Sequence, residues 1–186
     1  MSPIERVLVA PSSGKTHLRS GTAPWTILPP GFFAQNFGDA YRRDIVEDDR
    51  VFVPAGKGRV AFVDVRDLGA VATRVFLDPG PHQGHGLEVT GGKAITFDEA
   101  TRLLSDTAGR EISCQPASVG AYVAHLRRRG LPAVQIAVQT VLHLGLRRGG
   151  AARTTAIVED ILGRPPRTMR EYFEDHRERW EQEDGS

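Results

Sequence analysis

The 186-residue sequence has a single cysteine, Cys114. One thiol excludes an internal disulfide and any multi-cysteine metal or iron–sulfur centre, the pattern of a reduced, cytoplasmic protein. Lysine is almost as scarce, with Lys15, Lys57 and Lys93 set against 21 arginines. The net charge of +1 gives a weak overall field, so neither nucleic acid nor an acidic membrane is an expected partner. No apolar run reaches the ~20 residues needed to cross a bilayer, because Gln135, Gln139 and His143 interrupt Leu131 to Leu146, which reads instead as a soluble helix. At the start, Met1 to Arg6 lacks a basic stretch leading into a long apolar core, so no signal peptide is expected. His17, His82, His85, His125, His143 and His176 have no spacing that builds a metal site with nearby acids or the cysteine, and no metal is expected.

What remains fits one core, since a chain of this length falls within the usual span of a single domain. Residues 4–10 read as helix or strand, followed by a loop at Pro11 to Thr16. Pro24 to Leu28 is a short buried strand stopped by a double proline, and Phe32 to Tyr41 a helix. Val51 to Val53 and Val60 to Val63 flank a glycine-rich turn and predict a hairpin. Apolar residues at 65, 68, 71, 72, 75 and 76 predict a helix from Asp64 to Leu77. Leu87 to Thr90 is a candidate strand. Thr96 and Glu99 form a capping box for a helix ending at Gly109. After a strand at Ile112 to Gln115, helices are predicted over 119–129, 133–147, 155–162 and 168–180, the last opened by a second capping box at Thr168 and Glu171. Residues 181–186 read as a frayed tail.

Two stretches approach a phosphate-binding glycine loop. Gly56-Lys57-Gly58-Arg59-Val60-Ala61 fits a loose Gly-x-Gly-x-x-Ala pattern, but Phe62-Val63-Asp64 follows where a helix must begin. Ser13 to Thr16 resembles the end of a Walker A loop, yet the glycine required five positions before Gly14 is Val9. Asp64 and Asp67 read as helix-start acids rather than a catalytic pair. Arg127 to Arg129 and Arg147-Arg148 suit helix C-termini. Gln135, Gln139, His143 and Arg147 recur every four residues and read as a solvated stripe or as a pocket lining.

The run Trp25-Thr26-Ile27-Leu28-Pro29-Pro30-Gly31-Phe32-Phe33 resembles a segment of the NmrA-like family, atypical short-chain dehydrogenases that bind NAD(P) on a Rossmann sheet. The resemblance continues through Pro54 to Asp67, Leu87 to Gly91 and Gly163 to Thr168, in the family's order. It implies an α/β fold: a truncated Rossmann-like sheet fragment followed by a mainly helical substrate-side region, residues 1–180 matching the family's later part without its glycine-rich half. By resemblance the cofactor is NAD(P), met at its nicotinamide end by Pro30 and Gly31 with Phe32 and Phe33 nearby, while Gln139 and His143 line the substrate pocket. A strand-to-helix turn with two core phenylalanines is the other reading of those four residues. The family's arginine before Pro-Gly is here Pro29, which removes a cation and a backbone donor. Typical short-chain dehydrogenases use Tyr-x-x-x-Lys, but Tyr41, Tyr122 and Tyr172 are followed four residues on by Ile45, Leu126 and His176, so no catalytic residue is assigned.

The implied activity is NADPH-dependent reduction of a small carbonyl, quinone or azo compound, in impaired form. A redox-sensing or protein-binding module without turnover, and an inactive gene fragment, stand beside it. Cofactor affinity of the chain alone is expected to be weak. A sheet lacking its first units is also expected to leave Trp25 to Leu28 as an exposed edge, open to self-association or a partner chain.

Overall fold

The computed structural model describes residues 6–8 and 25–181. The expected loop at Pro11 to Thr16, and all of the expected tail at 181–186 but its first residue, lie outside the described residues. Eight strands and seven α-helices run in the order β1 (Arg6–Leu8), β2 (Trp25–Ile27), β3 (Phe32–Phe33), α1 (Arg42–Asp48), β4 (Arg50–Val53), β5 (Arg59–Val60), β6 (Phe62–Val63), α2 (Val65–Leu77), β7 (Ile95–Thr96), α3 (Phe97–Ala108), β8 (Ser113–Pro116), α4 (Val119–Arg128), α5 (Ala133–Arg147), α6 (Ile157–Leu162) and α7 (Met169–Asp175) among the described residues. The sheet pieces are mostly parallel: β1 with β2, β3 with β6, and β4 with β8, while β5 and β7 are antiparallel.

Helix starts follow the local chemistry. The Asp64 side chain accepts from the Arg66 amide to open α2, and the Thr96–Glu99 and Thr168–Glu171 capping boxes open α3 and α7. Gly109 closes α3 in the left-handed conformation. The final predicted helix is divided, α7 being followed by a 3-10 turn at Arg177–Trp180.

Three expectations are corrected. Val51 to Val53 and Val60 to Val63 do not form a hairpin. Each strand instead pairs with a distant segment, β4 with β8, β5 with β7 and β6 with β3, which buries its apolar side chains in the core. Phe32 and Phe33 are strand, not helix. A 3-10 turn at Ala34–Asn36 follows, and the first α-helix is α1, which buries Asp44 and Ile45. Nor is β2 an edge. Beyond its ladder with β1, Leu87 N donates to Ile27 O at 2.8 Å and Ile27 N to His85 O at 3.0 Å, so the segment after α2 covers its other side.

Alternation along β3 and β6 sorts side chains into two cores. Phe32 and Phe62 face an aromatic cluster with Phe37, Tyr41, Phe97 and Phe173, whose rings meet mainly edge to face at 5.1–6.2 Å. Each such pair adds about 1 kcal/mol beyond burial. Phe33 and Val63 face the other way, onto Leu28, Leu68, Val71, Val75 and Val158 beneath α2 and α6. Asp67 ties that layer to the C-terminal loop: wholly buried, it accepts from Arg164 Nη2 and the Arg167 amide, both at 2.7 Å, and from the Arg167 guanidinium.

Candidate functional site

A cavity of about 860 Å³, open to solvent, lies where the chain leaves β2. Ligands of parallel α/β sheets gather at this carboxyl end of the strands. Its floor is Pro29, Pro30, Gly31 and Phe32, and its far wall is Val141, Leu142 and Leu146 of α5 with Ala151 and Ile157. The floor offers few backbone donors. Two prolines have no N–H, and the Gly31 amide already donates to Val89 O at 2.8 Å. Polar groups sit at the rim, where Arg153 pairs with Glu88 at 3.2 Å, Thr155 Oγ1 donates to Glu88 O at 2.6 Å and Thr155 N donates to Thr90 Oγ1 at 2.9 Å. The cavity can hold a flat apolar molecule by contact and engage a polar substituent at one end.

Of the four residues assigned to the cofactor side, Pro30, Gly31 and Phe32 meet at this cavity. Phe33 does not, because it follows Phe32 on an extended strand and points into the opposite core. The two pocket candidates on α5 separate as well. Gln139 lines a second cavity of about 500 Å³, where its Oε1 accepts from Tyr122 at 3.1 Å. His143 is buried among Phe32, Tyr41, Phe97 and Tyr122 and does not line the first cavity. The solvated-stripe reading therefore holds for Gln135 and Arg147, which are exposed, and fails for His143.

Both imidazole nitrogens of His143 are engaged. Nδ1 lies 2.6 Å from Gln139 O, which can only accept, so Nδ1 carries the proton and Nε2 accepts from the Tyr41 hydroxyl at 2.7 Å. Burial lowers the His143 pKa, against a smaller opposing effect of the Gln139 carbonyl. Burial, with Tyr122 nearby, drives the Tyr41 phenol well above its ordinary value. The pair is thus held neutral, a locked hydrogen bond rather than a proton donor near neutral pH. Since His143 resists protonation when folded and takes it up freely when unfolded, its contribution to stability is complete above the unfolded pKa of about 6.5 and is lost as the pH falls toward the depressed folded value. His143→Gln should therefore flatten the acid limb of the stability–pH curve, by up to about 1.4 kcal/mol per pH unit, in urea titrations at neutral and mildly acid pH. An unchanged limb would remove His143 as its source.

The second cavity is lined by a hydrogen-bonded cluster: Asp44 meets His125 Nε2 at 2.8 Å and the Arg129 guanidinium at 2.6 Å, and Arg129 also reaches Glu47 and Asp48. Asp64 is engaged by Arg66 and Gln35; burial opposes its ionisation, but the Arg66 hydrogen bonds prevail and hold its carboxyl below the ordinary range. Among the described residues no group of three or more His, Cys, Asp or Glu could hold a metal ion, and no helix is long and apolar enough to cross a membrane.

The loose glycine pattern at Gly56 to Ala61 forms no open anion cradle. A Cβ on Gly58 would lie 2.1 Å from Leu146 O, so the Gly56–Gly58 turn is pressed against the end of α5 rather than open to an anion. Arg153, Glu88, Thr90 and Thr155 were not singled out in sequence. Glu88 and Thr90 lie in the Leu87 to Gly91 run, where nothing local marks them as polar site groups, and the four are gathered by folding of the 149–156 loop against that segment after α2.

Mostly parallel sheet pieces with helices around them and a cavity at the strand ends define an α/β protein of Rossmann-like architecture. No protein-family model matches the chain. Among curated proteins it is 31% identical to the NAD(P)H azoreductase of Xenophilus azovorans over 157 residues, 84% of this chain and 54% of that one. Among solved structures it superposes on the NADPH-dependent quinone oxidoreductase QOR2 of Escherichia coli with a TM-score of 0.80 at 24% identity, covering 88% of this chain and 58% of that one. Superposition on NmrA, a negative transcriptional regulator in complex with NADP, gives 0.65 at 13% identity over 87% and 55%. The chain carries the fold of the NmrA-like, atypical short-chain dehydrogenase group, and it spans about half the length of the curated relatives it matches.

Proposed function

We propose that this chain forms the substrate side of an NAD(P)H-dependent oxidoreductase acting on a small, flat carbonyl, quinone or azo compound. The observation that carries this reading is the cavity at the end of β2, apolar on its floor and far wall and polar only at its rim. It agrees with the names of the relatives, an azoreductase and a quinone oxidoreductase. The cofactor, when bound, supplies the hydride, and Pro30, Gly31 and Phe32 would meet its ring by contact. This chain's own part is to exclude water and fix the acceptor's plane, with Phe32 held in place by the buried Tyr41–His143 pair behind it.

The test is ligand titration followed by amide resonances, using a simple naphthoquinone. Shifts centred on Gly31, Phe32, Leu142 and Ala151 are expected, and shifts elsewhere or none would overturn the reading. NADPH consumption in the same mixture then separates reductase from binder. Quinone binding without turnover would favour a regulatory module, a reading supported by the absence of any Tyr-x-x-x-Lys pair and by the likeness to NmrA.

A further inference from the structure

Between Glu111 and Glu159 the sequence has six arginines and neither aspartate nor glutamate, so the near-zero net charge conceals a strongly basic segment. It folds as β8, α4, α5 and the loop before α6, with α4 and α5 packed against each other. Two of the six arginines are already engaged, Arg129 by Asp44, Glu47 and Asp48, and Arg153 by Glu88. Arg127 and Arg128 at the end of α4, and Arg147 and Arg148 at the end of α5, are exposed and have no carboxylate partner among the described residues.

Between these two basic ends lies an apolar row. Val134, Val138, Val141 and Leu142 are 77%, 61%, 70% and 46% exposed, and their spacing puts them on one face of α5. The helix is apolar on two sides: Ile136 and Leu146 turn into the protein with Thr140 and His143, while the valines turn to water. At about 22 Å, α5 is too short to cross a bilayer but suits lying in its plane.

We infer that the α4–α5 pair docks on an anionic lipid surface, the α5 valines entering the headgroup boundary and the four free arginines resting against lipid phosphates. Charge complementarity selects an acidic partner. The apolar row selects a bilayer over nucleic acid, whose phosphates would leave the valines without contact. The weak overall field read from composition misses this face because the acids are concentrated elsewhere in the chain. Docking does not depend on the reductase reading, but it gives that reading a route: Val141 and Leu142 also line the cavity, so a lipophilic ligand could enter from the membrane side.

The test is cosedimentation of the full chain with vesicles of phosphatidylcholine alone or with phosphatidylglycerol added. Binding should require phosphatidylglycerol and weaken in salt. Arg127→Ala and Arg128→Ala should each reduce partition about fivefold, and Val138→Asp about tenfold, with thermal melts matching wild type because all three side chains are exposed. No binding to anionic vesicles, or undiminished binding by Val138→Asp, would overturn the inference. So would a dimer that Val138→Asp dissolves in a protein indifferent to vesicles, which would mark the row as a contact between copies. A duplex oligonucleotide that competes with the vesicles and still binds the Val138→Asp variant would identify a nucleic-acid surface instead.

Discussion

Replacing Arg164 and Arg167 together by alanine should destabilise the protein by about 3–5 kcal/mol, more than Asp67→Asn at about 1–3 kcal/mol. The asymmetry follows from which partner is buried. Asp67 is wholly inaccessible, whereas the Arg164 and Arg167 side chains remain 39% and 31% exposed. Removing the carboxylate lets two guanidiniums turn to water. Removing the guanidiniums strands a carboxylate that cannot follow them, with the Arg167 amide as its remaining partner outside its own helix. The expected fall in melting temperature for the double variant is about 10 °C. Urea unfolding monitored through the buried Trp180 would measure both variants on one scale. If Asp67→Asn proved the worse, the acid would be acting chiefly on the α2 N-terminus rather than as an anchor for the loop.

The same residue shows how far the sequence could be read. Asp67 was recognised as a helix-start acid because capping chemistry is decided within about four residues, as it was at Asp64, Thr96 and Thr168. Its arginine partners are about a hundred positions away, and nothing local announces them. Strand pairing was lost for the same reason. β3, β5 and β6 have two residues each, too few to show a period, and their partners are fixed by long-range packing. Helix α1 was missed because Arg-Arg-Asp-Ile-Val-Glu-Asp buries only Asp44 and Ile45, which leaves no apolar stripe, and because its N-terminus has no side-chain cap.

The candidate site was approached through resemblance more than through physics. Pro30, Gly31 and Phe32 belong to a run of residues that resembles a family's, and they line one cavity. The α5 residues show the limit of pattern alone. The polar spacing of Gln135, Gln139, His143 and Arg147 suggested one continuous face, but four-residue steps drift around a 3.6-residue helix, and His143 falls where Tyr41 and the Gln139 carbonyl satisfy it internally. A buried imidazole with two partners cannot be told from an exposed one by sequence.

Gly91→Ala should cost more than about 3 kcal/mol, whereas Gly31→Ala should cost no more than about 1 kcal/mol, although Gly31 belongs to the more conspicuous motif. A Cβ at Gly91 would stand 2.0 Å from Phe62 O and 2.9 Å from Phe62 C. These are backbone atoms of β6, held by its ladder with β3, so no rotamer change can relieve the clash. The strand and the segment ending in Gly91 would have to part, and that segment carries Glu88 and Thr90, the polar rim of the cavity. At Gly31 the nearest atom is Ala61 O at 3.3 Å, which a shift of a few tenths of an ångström accommodates. Gly91→Ala should therefore lose stability and quinone binding together, and Gly31→Ala should keep its fold, as read by chemical denaturation and by the same amide shifts. If Gly31→Ala abolishes binding while remaining fully folded, the glycine serves close approach of a ligand rather than packing of the sheet.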